Sequence, residues 1–437
     1  MVHLTTRTLG KICDEVGGVI RTGPFGSQLH ESDYQDEGVA VVMPKNIVDG
    51  KISLYDIARI GDQDVARLSQ HKLHKGDIIY GRRGDIGRRA LVTQREEGLL
   101  CGTGSLRISL GDSILNPGFL FYYLGQPQIT AWISNQAIGA TMPNLNTSIM
   151  RSIPVTYPPL PIQHKIASIL SSYDDLIENN TRRIKILEEM ARAIYREWFV
   201  HFRFPGHEKV KLVDSPLGKI PEGWEVATLG EHLVTLESGK RPKGGIRESL
   251  EGVPSIGAEN INGIGRHDFA SEKRVPRDFF EQMRKGVVHD RDVAIYKDGA
   301  YIGKSSFFRD GFPYSECCVN EHVFLLRASG VGLTQNTLYL WLQEPDTVAA
   351  IRATNANAAQ PGINQKSLGG LELVLPDAES AAHFDRLVEP LLAEVINLAK
   401  HSLNLRQTRD LLLPKLVSGE IQITRNDKLG NFKGIDG

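Results

Sequence analysis

Several stretches of this sequence carry the residue types that hold phosphate or read nucleotide bases. Gly299-Ala300-Tyr301-Ile302-Gly303-Lys304-Ser305 resembles a phosphate loop, but it is one residue short of the GxxxxGK[ST] spacing. Its amides would therefore not wrap phosphates in the same way. Arg82-Arg83-Gly84-Asp85-Ile86-Gly87-Arg88-Arg89 places four arginines in eight residues around two glycines. The corresponding turn later in the chain carries Lys297 and Lys304, and Lys240-Arg241-Pro242-Lys243 is a further basic loop running into two glycines. Arginine binds phosphate or reads guanine with two hydrogen bonds, and lysine neutralises phosphate. Glycine lets a backbone approach DNA closely. Arg21 to Gln28 is a polar, glycine-rich loop that can present Ser27 and Gln28 to base edges, and its later counterpart is Glu237 to Lys240. Any one of these clusters would also suit a solvated surface. Their recurrence at the same turn in both halves favours a shared task.

Motifs for catalysis are missing. Dinucleotide-binding glycine spacing, HExxH and GxSxG do not occur. Neither does a motif for S-adenosylmethionine, nor the Asn-Pro-Pro-aromatic signature of an amino-methyltransferase; Pro158-Pro159-Leu160 is not one. Asp33, Asp36 and Glu37 cluster without a base or a metal set, and His71 and His74 read as part of a charged, solvated face.

The elements that must position the basic loops occur twice. Thr8-Leu9-Gly10 returns as Thr228-Leu229-Gly230, Gly38 to Ile47 as Gly252 to Ile261, Ile86-Gly87-Arg88 as Ile302-Gly303-Lys304, and Ala140 to Asn146 as Ala358 to Asn364. The separations are 220, 214, 216 and 218 residues, a near-constant offset with the drift of loop insertions. That period is far above those of solenoid repeats, so the chain holds two copies of one domain. Short apolar runs cut by Gly, Pro and Asn read as strands: Val39 to Met43, Asp77 to Tyr80, Val293 to Tyr296 and His322 to Leu326. Helical pieces run from Pro117 to about Ile133 and from Leu338 to Arg352.

Each copy then ends in a long helix. Apolar residues fall at Ile166, Ile169, Tyr173, Leu176, Leu187, Ala191, Ile194 and Trp198, and again at Phe384, Leu387, Leu391, Val395, Leu398, Leu405 and Leu412. Steps of three and four describe a coiled-coil seam, here interrupted at Asn180 and Ser402. Two seams of equal length favour pairing with each other. Ile166 to Trp198 would span roughly 50 Å at the helical rise, a rod able to hold two domains at a fixed separation. The expected boundaries are a first domain at 1–160, a helix at 161–204, a Pro- and Gly-rich connector at 205–227, a second domain at 228–378, a helix at 379–417 and a short polar tail at 418–437.

Composition sets the class. The chain has 437 residues, 41% hydrophobic and 24% charged, as in globular proteins. No apolar run is long enough to span a membrane and the first residues lack a signal-peptide core, so a cytoplasmic protein is expected. Four cysteines, two of them adjacent (Cys317, Cys318), form no disulfide framework and no zinc spacing. A formal net charge of −1 argues against coating nucleic acid through bulk charge, but it suits a reader that is basic on one face and docks partners elsewhere.

This layout resembles the specificity subunit of a type I restriction-modification system. Pro159 to Leu170, with Pro161-Ile162-Gln163 at its centre, resembles that family's entry into its central helix. Asn179-Asn180 and the Trp198-Phe199 end fit as well. Pro221-Glu222-Gly223-Trp224 before Thr228-Leu229-Gly230 resembles the start of the second target-recognition domain, and Arg409 to Gly419 the end of the second helix. The second helix departs from the pattern by opening on Asp377 to His383 rather than on Pro-Leu-Pro-Ile-Gln.

The resemblance covers nearly the whole chain. It implies an α+β protein with two homologous target-recognition domains, each followed by a long helix, the helices pairing as an antiparallel coiled coil. It implies a subunit that is not itself catalytic and binds a bipartite, asymmetric site in double-stranded DNA, one half-site per domain. Its partners would be two methylation subunits and, in some complexes, restriction subunits. S-adenosylmethionine, ATP and magnesium would sit on those partners and none on this chain. The DNA-contacting residues expected from the loops are Ser27, Gln28, Arg82, Arg83, Arg88, Arg89, Lys240, Arg241, Lys243, Lys297 and Lys304. The alternatives are a specificity subunit of a related system that cuts on both sides of its site, and a twin-domain protein scaffold that never touches DNA.

Overall fold

A computed structural model describes residues 3–84, 86–111, 114–136, 144–243, 245, 251–299, 301–354 and 362–421. Asp85, Pro143, Pro361 and most of the expected tail lie outside the described residues. The chain forms two compact units, Met1–Leu176 with Leu405–Gly437, and Ile177–Asn404.

In the first unit a four-stranded antiparallel sheet has the order Val19–Thr22, Ser105–Ser109, Ile78–Gly81, Arg89–Leu91. A second sheet has the order Leu100–Cys101, Val39–Val42, Arg59–Ile60, Tyr34–Gln35, its first pair parallel. Thr5–Thr8 pairs with Pro154–Tyr157, tying the start of the domain to the entry of the long helix.

The second unit repeats the plan. Leu233–Ser238, Val323–Ala328, Val293–Tyr296 and Ser305–Phe307 form its four-stranded sheet. Lys273–Val275, Val253–Ile256 and Cys318–Val319 form the other, again with one parallel pair. Glu225–Thr228 pairs with Glu372–Leu375. The four-stranded antiparallel sheets have the same strand order in both units, and the second sheets share three strands in the same order, the structural counterpart of the sequence repeat.

The helical pieces are each split. Pro117–Tyr123 is followed by Pro127–Gln136, and Gln335–Leu342 by Pro345–Ala353. Proline suits the first turn of a helix but cannot continue one, so Pro127 and Pro345 each start a new helix.

The stretch at 205–227 is also structured. Leu212–Ser215 and Gly218–Pro221 form a hairpin, and Trp224 is buried against Phe199 and Phe204.

The long helices are Leu160–Tyr195, ending in a π-turn at Arg196–Val200, and Ala378–Ser418. Asp377 caps the second by accepting from the Ser380 amide at 2.9 Å. In the first unit Ile166, Leu170, Leu413, Leu416 and Val417 share one core. In the second, Ala191, Tyr195, Phe384, Val388 and Val395 share another. The Arg183–Glu394 ion pair at 2.9 Å and the Tyr195–Phe384 ring contact run in opposite chain directions, which makes the pair antiparallel in that unit.

The seam differs from the sequence reading at two points. Leu176 and Leu387 are exposed, and Ile177 and Val388 are buried in their place. With that change Gln163, Leu170, Ile177, Ile184, Ala191 and Trp198 are buried at strict seven-residue spacing, and so are Ala381, Val388, Val395 and Ser402. Asn180, three residues after Ile177, is buried too. On each helix the buried stripe runs through Asn180 or Ser402, which are polar members of it rather than breaks. Among the described residues no helix is long and apolar enough to cross a membrane.

Candidate nucleic-acid interfaces

In the first unit three loops distant in sequence converge at one end of the four-stranded sheet. The Arg21–Gln28 loop is pinned where Gly23 donates to the Ser105 carbonyl at 2.9 Å and the Thr103 hydroxyl donates to the Pro24 carbonyl at 3.0 Å. A Cβ on Gly23 would lie 2.0 Å from the Gly102 oxygen, so only glycine permits this approach. The arginine turn joins the cluster through Arg82. Its amide donates to the Gly104 carbonyl at 2.9 Å, and its carbonyl accepts from the Leu145 amide at 2.9 Å.

The four arginines of this turn divide into two pairs. Arg82 is only 8% exposed. Its Nε and Nη2 donate to Asn144 Oδ1 at 3.2 and 3.1 Å, and its guanidinium lies 5.7 Å from the centre of the Phe25 ring. Arg89 donates from Nε to the Phe121 carbonyl at 2.7 Å and lies 5.0 Å from the Phe121 ring centre. Both are fastened inside the domain, and burial lowers both guanidinium pKa values. Arg83 and Arg88 point outward. The Arg83 backbone is bridged to Asn144, which holds the base of an exposed side chain. Ser27 is exposed, whereas Gln28 turns back to accept from the Phe25 amide at 3.2 Å. Arg82, Arg89 and Gln28 thus shape the surface, and Ser27, Arg83 and Arg88 present it.

His71 departs from its reading as a solvated residue. It is buried beneath Arg21, whose Nη1 donates to Gln70 at 3.1 Å. Burial, together with the Arg21 and Arg107 charges, lowers its pKa. His74 is exposed.

The second unit builds the same convergence with different chemistry. A Cβ on Gly239 would lie 1.5 Å from the Val319 oxygen, the same close approach as at Gly23. The Lys297 amide donates to the His322 carbonyl at 3.1 Å, and the Lys297 carbonyl accepts from the Ile363 amide at 2.9 Å. Lys297 therefore occupies the backbone position of Arg82, at the corresponding turn expected from the sequence repeat. Its Nζ sits 5.0 Å from the Phe324 ring centre and 3.7 Å from Asp298. Arg241 pairs with Glu321 at 2.7 Å, and His322 Nδ1 lies 3.0 Å from Asp298. Lys304 is exposed with its Nζ 4.5 Å from the Tyr301 ring centre, and Lys240 and Lys243 are exposed. This surface alternates cations with carboxylates, where the first presents arginine and serine.

The stretch that resembles a phosphate loop is a hairpin connection. It joins Val293–Tyr296 to Ser305–Phe307, and Ser305 begins a buried strand rather than a helix. Without a helix N-terminus the amides do not converge on a phosphate. The arginine turn joins Ile78–Gly81 to Arg89–Leu91 in the same way, so the shared feature is structural.

Sequence reading missed Thr103, Asn144, Asp298, Glu321 and His322, which lie in these clusters. The repeated Asn at 146 and 364 pointed nearby but has another role. Each caps a short helix, accepting from Ile149 and Ser367 amides at 2.8 Å.

Comparison with known proteins agrees with the fold. Residues 30–189 match the family model of the type I restriction modification DNA specificity domain. The type I restriction enzyme MjaIX specificity subunit of Methanocaldococcus jannaschii is 26% identical over 369 residues, covering 83% of this chain and 82% of that protein. The type I restriction enzyme HindI specificity subunit of Haemophilus influenzae is 21% identical, covering 88% and 94%. Among solved structures, the type I restriction-modification S subunit from M. genitalium superposes with a TM-score of 0.53 at 17% identity, over 95% of this chain and 96% of that one.

Proposed function

We infer that this chain, a member of the specificity-subunit family of type I restriction-modification systems, is the DNA-recognition subunit of such a complex and carries no catalytic site of its own. The observation that carries the reading furthest is the duplicated loop convergence. Two copies of one scaffold present two different sets of polar side chains, as two half-sites of different sequence require. Arg83 and Arg88 of the first domain would position it on phosphate and read a base edge, with Ser27 beside them. Lys240, Lys243 and Lys304 would do so in the second.

Two methylation subunits carrying S-adenosylmethionine would modify an adenine turned out of the duplex. Restriction subunits with ATP and magnesium would join the same assembly. The length of helix between the readers would set the number of base pairs between the half-sites.

The test is a map of adenine methylation across the native genome with and without this gene. Loss of methylation at one split, asymmetric motif is the expected result. An unchanged map in a strain with an active methylation subunit overturns the reading and favours the protein scaffold.

A further inference from the structure

The two domains diverge sharply just after a shared anchor. Asn46 and Asn260 each accept from a backbone amide three residues earlier, Met43 at 3.1 Å and Gly257 at 3.4 Å, and each is followed by a buried isoleucine, Ile47 or Ile261. In the second domain the chain then turns inward. Ile264 is fully buried, and its amide donates to the Tyr339 hydroxyl at 3.1 Å. In the first domain it turns outward as a hairpin of Ile47–Val48 with Lys51–Ile52. Asp49 and Gly50, at φ +49° and +78°, form the tight turn that Asp-Gly favours.

On this hairpin and just beyond it the chain exposes apolar side chains instead of burying them. Val48 is 47% exposed, Leu54 53% and Tyr55 89%. The tip is nonetheless held. Ser53 donates its amide to the Asn46 carbonyl at 2.8 Å, and Tyr55 donates its amide to Ser53 Oγ at 3.3 Å. Asp56 is paired with Lys45 at 3.3 Å on the exposed face, a contact a phosphate can compete for. Pro44, beside Lys45, packs 3.5 Å from where a Cβ on Gly81 would be, directly before the arginine turn. Contacts therefore lead from the turn that carries Tyr55, through the Asp56–Lys45 pair and Pro44, to the strand that enters the arginine turn.

We propose that this tip is a base-step wedge, in which Tyr55 stacks against the bases of the first half-site while Lys45 and Arg83 hold the flanking phosphates. The proposal rests on the DNA-recognition reading above. An aromatic ring on a fixed turn, flanked by cations, suits a partner that offers stacked bases inside a phosphate envelope. Tyrosine has two side-chain torsions, so ordering it on binding costs little. In the second domain the chain after the matching anchor folds Ile264 inward instead, so the wedge is assigned to the first half-site.

The experiment uses the full chain assembled with its methylation subunits and a duplex carrying the motif found from the methylation map. 2-Aminopurine replaces one base at a time through the first half-site, and its emission reports unstacking. The wild type is expected to brighten the probe at one step other than the methylated adenine. Tyr55→Ala abolishes that signal and weakens binding roughly 5- to 150-fold, the range of a lost base–aromatic stack. Tyr55→Phe retains both. An unchanged emission profile and affinity in Tyr55→Ala overturn the wedge, and weakened assembly with the methylation subunits in that case marks the tip as a protein contact. A wild-type complex that binds the motif no better than a scrambled duplex overturns the DNA reading itself, and the wedge with it.

Discussion

Replacing Arg82 and Arg83 separately by alanine separates a residue that builds the first surface from one that uses it. Arg82 is almost fully buried and gives two N–H donors to a single acceptor, Asn144 Oδ1. That is one charge-assisted contact, worth about 1.5–3 kcal/mol, and the stack on Phe25 adds about 0.5–1 kcal/mol. Arg82→Ala should therefore cost the first unit roughly 2–4 kcal/mol. It should also free the Phe25 loop, since Arg82 links that loop to Asn144. Arg83 is exposed on a bridged backbone, and its replacement should shift stability by less than about 0.5 kcal/mol. If it contacts a base edge, its loss costs about 1–3 kcal/mol of binding.

The assays are urea unfolding for stability and fluorescence anisotropy against the methylated motif for binding, repeated over a salt series. Arg83→Ala should bind roughly 5- to 150-fold more weakly with an unchanged unfolding midpoint. A large specificity loss with little change in salt slope indicates base reading, and a slope reduced by about one indicates a phosphate contact. An Arg83→Ala protein destabilised as much as Arg82→Ala, or one that binds DNA with wild-type affinity, refutes the division of roles.

Three further outcomes are expected. Ser402 is buried in the helix seam and its hydroxyl has no hydrogen-bond partner among the described residues; Ser402→Ala should raise the urea midpoint, by about 1 kcal/mol of stability, and a lower midpoint would show that the hydroxyl is satisfied. Glu389 is partly buried, which alone would raise its pKa, but Arg291, Asn336 and Arg309 donate to it and hold it down at about 2. Because the folded pKa lies below the unfolded one, its contribution is present at neutral pH and lost as pH falls from about 4.5 through about 2; Glu389→Gln should flatten that part of the acid-unfolding profile of the second unit. Adding seven residues to each long helix at matched levels lengthens the pair by roughly 10 Å, or about three base pairs of DNA; the methylated motif should keep both half-sites and gain that gap, and altered half-sites with an unchanged gap would refute helix length as the measure.

Local and periodic signals carried far in this chain. The constant offset between Thr8-Leu9-Gly10 and Thr228-Leu229-Gly230 announced two copies, and the copies do share strand order. Heptad spacing announced the long helices, because burying one stripe of a helix leaves its period in the sequence. It erred by one residue at Leu176 and Leu387, where two apolar neighbours compete and only packing against a partner selects Ile177 and Val388.

What tertiary structure alone decided is which of the clustered charged residues turn inward and which face outward. Arg82, Arg83, Arg88 and Arg89 are the same residue in one short run, yet two are tied down by Asn144, Phe25 and Phe121 and two face outward. The repeat placed Lys297 at the turn equivalent to the arginines, and the backbone hydrogen bonds to His322 and Ile363 set it at the position of Arg82. The outward turn of Tyr55 and the inward turn of Ile264 follow matching anchors at Asn46 and Asn260. Periodicity records which face of an element is buried, because that face repeats. A loop side chain has no period, and its direction is set by contacts that close only when distant segments meet.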